Sequence, residues 1–75
     1  MSWMPEYLDP AGKWEHNSYR FQTREEAEAN ARDLLAALQA DWGWRAEWRV
    51  VESDDPINAE YDYDKRDVIE LEIEY

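Results

Sequence analysis

Six carboxylates near the carboxyl end, Glu60, Asp62, Asp64, Glu70, Glu72 and Glu74, occupy every second position of two short runs. A period of two is the mark of a β-strand, whose successive side chains point to opposite faces. In the first run Ile57, Ala59, Tyr61 and Tyr63 alternate with Asn58, Glu60, Asp62 and Asp64. In the second, Val68, Glu70, Glu72 and Glu74 alternate with Ile69, Leu71, Ile73 and Tyr75. A hairpin with a three-residue loop, Lys65-Arg66-Asp67, pairs Tyr63 with Ile69, Asp62 with Glu70, Tyr61 with Leu71 and Glu60 with Glu72. Apolar residues then meet apolar partners and acids meet acids. A two-residue loop would pair Asp62 with Ile69 and mix the faces. The loop lacks the glycine that three-residue hairpins favour, which bears on its exact form and not on the parity.

On this register all six acids project from one face. They recur at about 6.6 Å along each strand, and the strands lie about 4.8 Å apart. Like charges set opposite each other cost a few tenths to about 1 kcal/mol per pair. A fold needs neither Asp62 against Glu70 nor Glu60 against Glu72. Charged edge strands also guard against aggregation, yet six acids on two strands with no base between them exceed that need. Arg45 and Arg49, placed on the same outer face, would neutralise part of the patch. Two rails of negative charge imitate a nucleic-acid backbone. The chemistry they offer is attraction to a surface lined with Arg and Lys, with an encounter rate that salt reduces.

Other reactive residue types are sparse. Cysteine is absent, so there is neither a disulfide framework nor a thiolate metal site. His16 is the lone histidine and sits between Glu15 and Asn17 on an expected strand, as surface histidines do. Asp62-Tyr63-Asp64-Lys65-Arg66-Asp67 has carboxylates without the spacing or glycine of a calcium loop. Asp54-Asp55 reads as a solvated turn, and Ser2, Ser18 and Ser53 have no nucleophile context. Acid–base work by paired carboxylates needs a cleft, for which a one-helix domain leaves little room. The reading is therefore of a non-enzymatic protein with no cofactor and no metal.

The elements that must position these residues follow from the same patterning. Trp3 to Leu8 and Lys13 to Phe21 read as strands, joined by Asp9-Pro10-Ala11-Gly12, a type I turn signal. Thr23-Arg24-Glu25-Glu26 is a capping box, followed by Ala27, Ala31, Leu34, Leu35 and Leu38 at helical spacing. Gly43 supplies the stop, so a helix is predicted from Arg24 to Asp41. Trp44 to Glu52 alternates again, with Trp44, Ala46, Trp48 and Val50 on the helix side, and Ser53-Asp54-Asp55-Pro56 breaks it. Trp44 and Trp48 are assigned to the core, while Trp3 and Trp14 are left as core residues or exposed anchors.

The chain has 75 residues, 8 basic and 19 acidic, for a net charge of −11. That is one domain with a thin core. Hydrophobic content of 44% is too high for a disordered chain. Residues 51–75 carry ten acids against two bases, and residues 1–50 carry nine against six, so the imbalance is concentrated at the end. Such a charge disfavours nucleic acid and anionic membranes as direct partners and favours a basic protein. Met1 to Glu6 has no apolar signal region, and no stretch reaches the roughly 20 apolar residues of a membrane span. A cytoplasmic location is expected.

In size, charge and alternation, with Ala59-Glu60-Tyr61-Asp62-Tyr63-Asp64 leading into Val68-Ile69-Glu70-Leu71, the chain resembles small acidic inhibitors made by phages and mobile elements. Anti-CRISPR proteins, anti-restriction DNA mimics and uracil-DNA glycosylase inhibitors are of this kind. The resemblance implies an inhibitor that occupies a basic, nucleic-acid-binding site of a host defence protein. The expected fold is α+β, a single domain of order β-β-α-β-β-β, with one antiparallel or mixed sheet and the helix on one face. The expected partner-binding residues are Glu60, Asp62, Asp64, Glu70, Glu72 and Glu74. The competing reading is a small accessory or antitoxin-like module that binds through exposed aromatics.

Overall fold

The computed structural model describes residues 1–43 and 47–71. Their order is β1 (Ser2–Leu8), β2 (Trp14–His16), α1 (Arg24–Trp42), β3 (Trp48–Ser53), β4 (Ala59–Asp62) and β5 (Asp67–Glu70). This is the expected α+β domain of order β-β-α-β-β-β. In place of the one sheet expected, the strands form two antiparallel sheets, β2-β1-β3 and β4-β5. Phe21 links them: it bridges Trp3 of β1 on one side and Ala59 of β4 on the other.

The turn between β1 and β2 follows its sequence signal. Gly12 donates to the Asp9 carbonyl at 3.0 Å, and the Lys13 amide is held by the Asp9 carboxylate at 2.8 Å. Gly12 takes φ 84°, a conformation that a side chain would strain.

The second strand is shorter than the alternation over Lys13 to Phe21 predicts. Leu8 donates to the Glu47 carbonyl, so the even-numbered residues of β1 bond towards β3. Trp3 exchanges both backbone bonds with Phe21, so the odd-numbered residues bond towards β2. Pro5 lies in that odd set, opposite the place where Asn17 would extend β2, and has no N–H to offer. The ladder stops at His16, and the chain leaves the sheet before rejoining it at Phe21.

The departing segment is fastened by polar groups. Arg20, only 8% exposed, donates through Nε to Asp55 at 3.0 Å and through Nη1 to the carbonyls of Asn17 and Tyr19. Asn58 accepts from the Arg20 amide at 2.7 Å and donates to the Ser18 carbonyl at 2.9 Å. Ser2, fully buried, donates through its hydroxyl to the Asp55 carbonyl at 2.8 Å.

Helix α1 starts and stops where the sequence says. Thr23 is extended and accepts from the Glu26 amide, and Gly43 is left-handed and donates to the Gln39 carbonyl at 2.9 Å. The expected reciprocal arm of the capping box is redirected. One Glu26 oxygen accepts from the Thr23 hydroxyl at 2.9 Å, and the other accepts from the Tyr61 amide of β4 at 3.0 Å. Glu26 therefore caps the helix and ties it to the C-terminal hairpin.

The small residues Ala27 and Ala31 let the helix lie close to the strands, burying Phe21, Ala59 and Tyr61. Trp3, Tyr19, Val50 and Val68 pack around them. Trp48 is half-buried beneath the Arg32 guanidinium, and Arg49 stacks on Trp14 at 4.0 Å from the ring centre. Trp3 and Trp14 are thus both engaged within the fold. Trp44, Arg45 and Ala46 of the predicted third strand lie outside the described residues, and the strand runs on from Trp48 to Ser53.

Candidate functional site

The C-terminal hairpin forms, but on a different register. Tyr61 pairs with Val68 and not with Leu71, three residues further on; Ala59 pairs with Glu70, Glu60 with Ile69 and Asp62 with Asp67. The connection is a four-residue turn, Tyr63 to Arg66. A shift by an odd number of residues turns one strand over relative to the other. The single acidic face expected from parity is therefore corrected: Glu60 and Asp62 share a face, and Glu70 points from the other.

Turn chemistry decides the register. The Asp62 carboxylate accepts from the Asp64 amide at 3.0 Å and the Lys65 amide at 3.2 Å, an Asx-type cap on the turn. Arg66 closes it in the left-handed conformation, φ 53°. Two hydrogen bonds at Asp62 and a well-formed four-residue turn outweigh the matching of apolar with apolar along strands only four residues long.

The outer face of the hairpin consequently mixes acid and hydrocarbon. Glu60 is exposed and stands opposite Ile69, itself 46% exposed. Leu71, 39% exposed, continues the same face, its amide bonded to the Asn58 carbonyl at 2.9 Å. Asp62 stands opposite Asp67. The Ala59 and Tyr61 amides are committed to Arg20 and Glu26, away from β5, so Asp62 and Asp67 form a hydrogen-bonded pair with Cα atoms about 5.5 Å apart. Asp64 lies exposed in the turn and not on a strand. Glu70 meets the Tyr19 hydroxyl at 3.4 Å on the inner face. Glu72 and Glu74 lie outside the described residues. Asp67, Ile69 and Leu71 join the face although sequence parity placed Asp67 in the loop and the other two inside. The signal that finds them is Asp62 as a turn cap, together with the missing glycine.

Among the described residues, none of the hairpin's acids forms an ion pair with a base. The ion pairs are Lys13–Glu15, Arg20–Asp55, Arg24–Glu28 and Arg49–Glu6, all outside the hairpin's own acids. Arg49 in particular pairs with Glu6 at 2.7 Å and not with the hairpin. The tyrosine hydroxyls are raised by desolvation first and by neighbouring carboxylates second. Tyr63 is held above the ordinary phenol range by burial and then by the charges of Glu26 and Glu25. Tyr19 is raised by burial and then by Glu70. Tyr61 is pushed up to about 12, by burial first and then by its hydrogen bond to Asp33.

Between the hairpin and the start of α1 lies an open groove of about 430 Å³, lined by Gln22, Thr23, Glu26, Glu60, Tyr61, Tyr63 and Leu71. Its walls are an unpaired carboxylate at Glu60, the Tyr63 ring and the Leu71 hydrocarbon. A larger groove of about 560 Å³, beside His16, Arg20, Asp55 and Asn58, is lined by groups already bonded to one another. Among the described residues no group of three or more His, Cys, Asp or Glu side chains is placed to hold a metal ion. No described helix is long and apolar enough to cross a membrane. Comparison with protein-family models, with curated proteins and with solved structures gives no match for this chain.

Proposed function

We propose that this chain is a non-enzymatic binding protein whose C-terminal hairpin docks on a basic, phosphate-binding surface of another protein and so competes with nucleic acid for it. The observation that carries the reading is the groove lined by Glu60, Tyr63 and Leu71, in which the carboxylate has no partner in the described chain. A partner Arg or Lys fits that chemistry. Its aliphatic stem lies on Leu71 and Tyr63, and its cationic head reaches Glu60 and the Tyr63 ring face. Asp62, Asp64 and Asp67 add the long-range attraction. The corrected register changes the mode from two regular rails to an acidic rim around Ile69 and Leu71. Such an interface loses affinity with salt but keeps an apolar remainder.

The test is competition. A panel of basic nucleic-acid-binding domains carrying labelled duplex DNA is titrated with the protein. DNA release that weakens with salt, and that is lost in the combined variant Glu60→Gln, Asp67→Asn, Leu71→Ser, is the expected result. Release that is unchanged in that variant, or no release from any domain, refutes the proposal.

A further inference from the structure

The two ends of the strand arrangement are not alike. At the hairpin end, β5 blocks its own edge: the Val68 amide, which points away from β4, is taken by the Asp67 carboxylate at 2.8 Å. At the other end, β3 has no strand on its outer side among the described residues. Since Glu47, Arg49, Val51 and Ser53 bond towards β1, the N–H and C=O groups of Trp48, Val50 and Glu52 point outward. None of these groups has a backbone partner among the described residues. The strand Trp48-Arg49-Val50-Val51-Glu52-Ser53 has no proline, no lysine and no bulge in its register, which are the usual protections of an edge.

We infer that β3 pairs with β3 of a second copy of this chain, antiparallel about a two-fold axis beside Val50. Symmetry and hydrogen bonding restrict the register. Outward-pointing residues must face one another, and of the symmetric registers that allow this, the one centred on Val50 pairs the strand along its whole length, setting Val50 against its own copy and Trp48 against Glu52 of the partner. That register is complementary in charge. Arg32 lies over Trp48, 5.6 Å from the ring centre, and forms no ion pair among the described residues; Glu52 is exposed and forms none either. Trp48, Val50 and Glu52 share the face of the sheet on which α1 packs, so each Glu52 arrives beside the partner's Arg32–Trp48 stack. Two such contacts form by symmetry. A foreign extended peptide would gain the backbone bonds but would have to bring its own acid for Arg32.

The net charge of −11 opposes association of two copies. The hairpin's share, Glu60, Asp62, Asp64, Asp67 and Glu70 against Lys65 and Arg66, lies at the far end of the strand order from β3, while Glu52, Asp54 and Asp55 sit in or beside β3. Self-association should therefore strengthen as salt screens that repulsion.

Sedimentation equilibrium on the whole chain at moderate salt tests the inference. A concentration-dependent dimer is expected. Glu52→Lys sets a cation against Arg32 and should weaken it about tenfold, as Arg32→Glu should by pairing two acids. The double swap, Arg32→Glu with Glu52→Lys, should restore it. Glu52→Pro removes one outward N–H and no β1–β3 bond, and should abolish dimerisation while circular dichroism stays unchanged. A chain that is monomeric at the highest attainable concentration overturns the inference. So does a dimer indifferent to these substitutions, which would place the contact, or a bound peptide, elsewhere.

Discussion

The corrected hairpin register makes a quantitative prediction about which acid Asp62 opposes. In the structure it faces Asp67 across a hydrogen-bonded pair, while Glu70 points from the opposite face. Two carboxylates about 6 Å apart in water repel by about 0.7 kcal/mol. Asparagine removes the charge at either position yet keeps the oxygen that accepts from the Asp64 and Lys65 amides, or from the Val68 amide. Asp62→Asn and Asp67→Asn should therefore each stabilise the protein by about 0.5 kcal/mol at low ionic strength. The double variant should gain little more than either single one, giving a coupling of about 0.5 kcal/mol in a double-mutant cycle. Urea unfolding followed by tryptophan fluorescence measures it, and the coupling should shrink as salt is added. The matching cycle of Asp62→Asn with Glu70→Gln should give a coupling near zero. A coupling that appears with Glu70 and not with Asp67 would show that the three-residue loop forms after all, and the account of the outer face would be wrong.

Phe21 bridges the two sheets and is fully buried, so Phe21→Ala should cost about 3–5 kcal/mol. A domain of this size has only about 4–11 kcal/mol in total, so the variant should be largely unfolded by circular dichroism at room temperature, whereas Phe21→Leu should stay folded. At alkaline pH the phenol of Tyr61 matters. Its folded value, near 12, lies above the ordinary 10, so the stability it contributes is intact below pH 10 and is lost as pH rises through 12. The ceiling on that loss is about 2.7 kcal/mol. Tyr61 and Asp33 both line an open groove, where solvent screening brings the expected loss to about 1 kcal/mol. Tyr61→Phe, measured by chemical unfolding from pH 9 to 12, should flatten that part of the profile.

How much of this was legible in the sequence depended on how local the determinant is. Thr23, Gly43 and the Asp9-to-Gly12 turn act on their immediate neighbours, and the helix and first turn form where they direct. The early end of β2 could not be read from its own residues, because its cause, Pro5, lies on the neighbouring strand. The role of Glu26 was half visible: the cap is local, but the bond to Tyr61 spans 35 positions. The hairpin shows where alternation misleads. Apolar and acidic residues alternate on both strands, so the pattern fixes which residues of one strand share a face without fixing how the two strands meet. That was decided by Asp62, whose side chain serves the turn.

These details together give the molecule two dissimilar ends. Strand order runs from β3 through β1 and the Phe21 bridges to β4 and β5, so the outer edge of β3 and the acidic hairpin lie at opposite extremes. The proposed contacts therefore do not compete for surface, and a dimer through β3 would carry two acidic hairpins facing away from each other. They differ in their response to ions. Docking of the hairpin on a basic surface relies on unscreened carboxylates and weakens with salt, while pairing of β3 is held back by those same charges and gains from salt. A partner that neutralises the hairpin removes part of the repulsion between copies and so favours the dimer. By linkage the dimer must then bind that partner more tightly than the monomer does, and this coupling should disappear in Glu52→Pro while the monomer's own affinity stays unchanged.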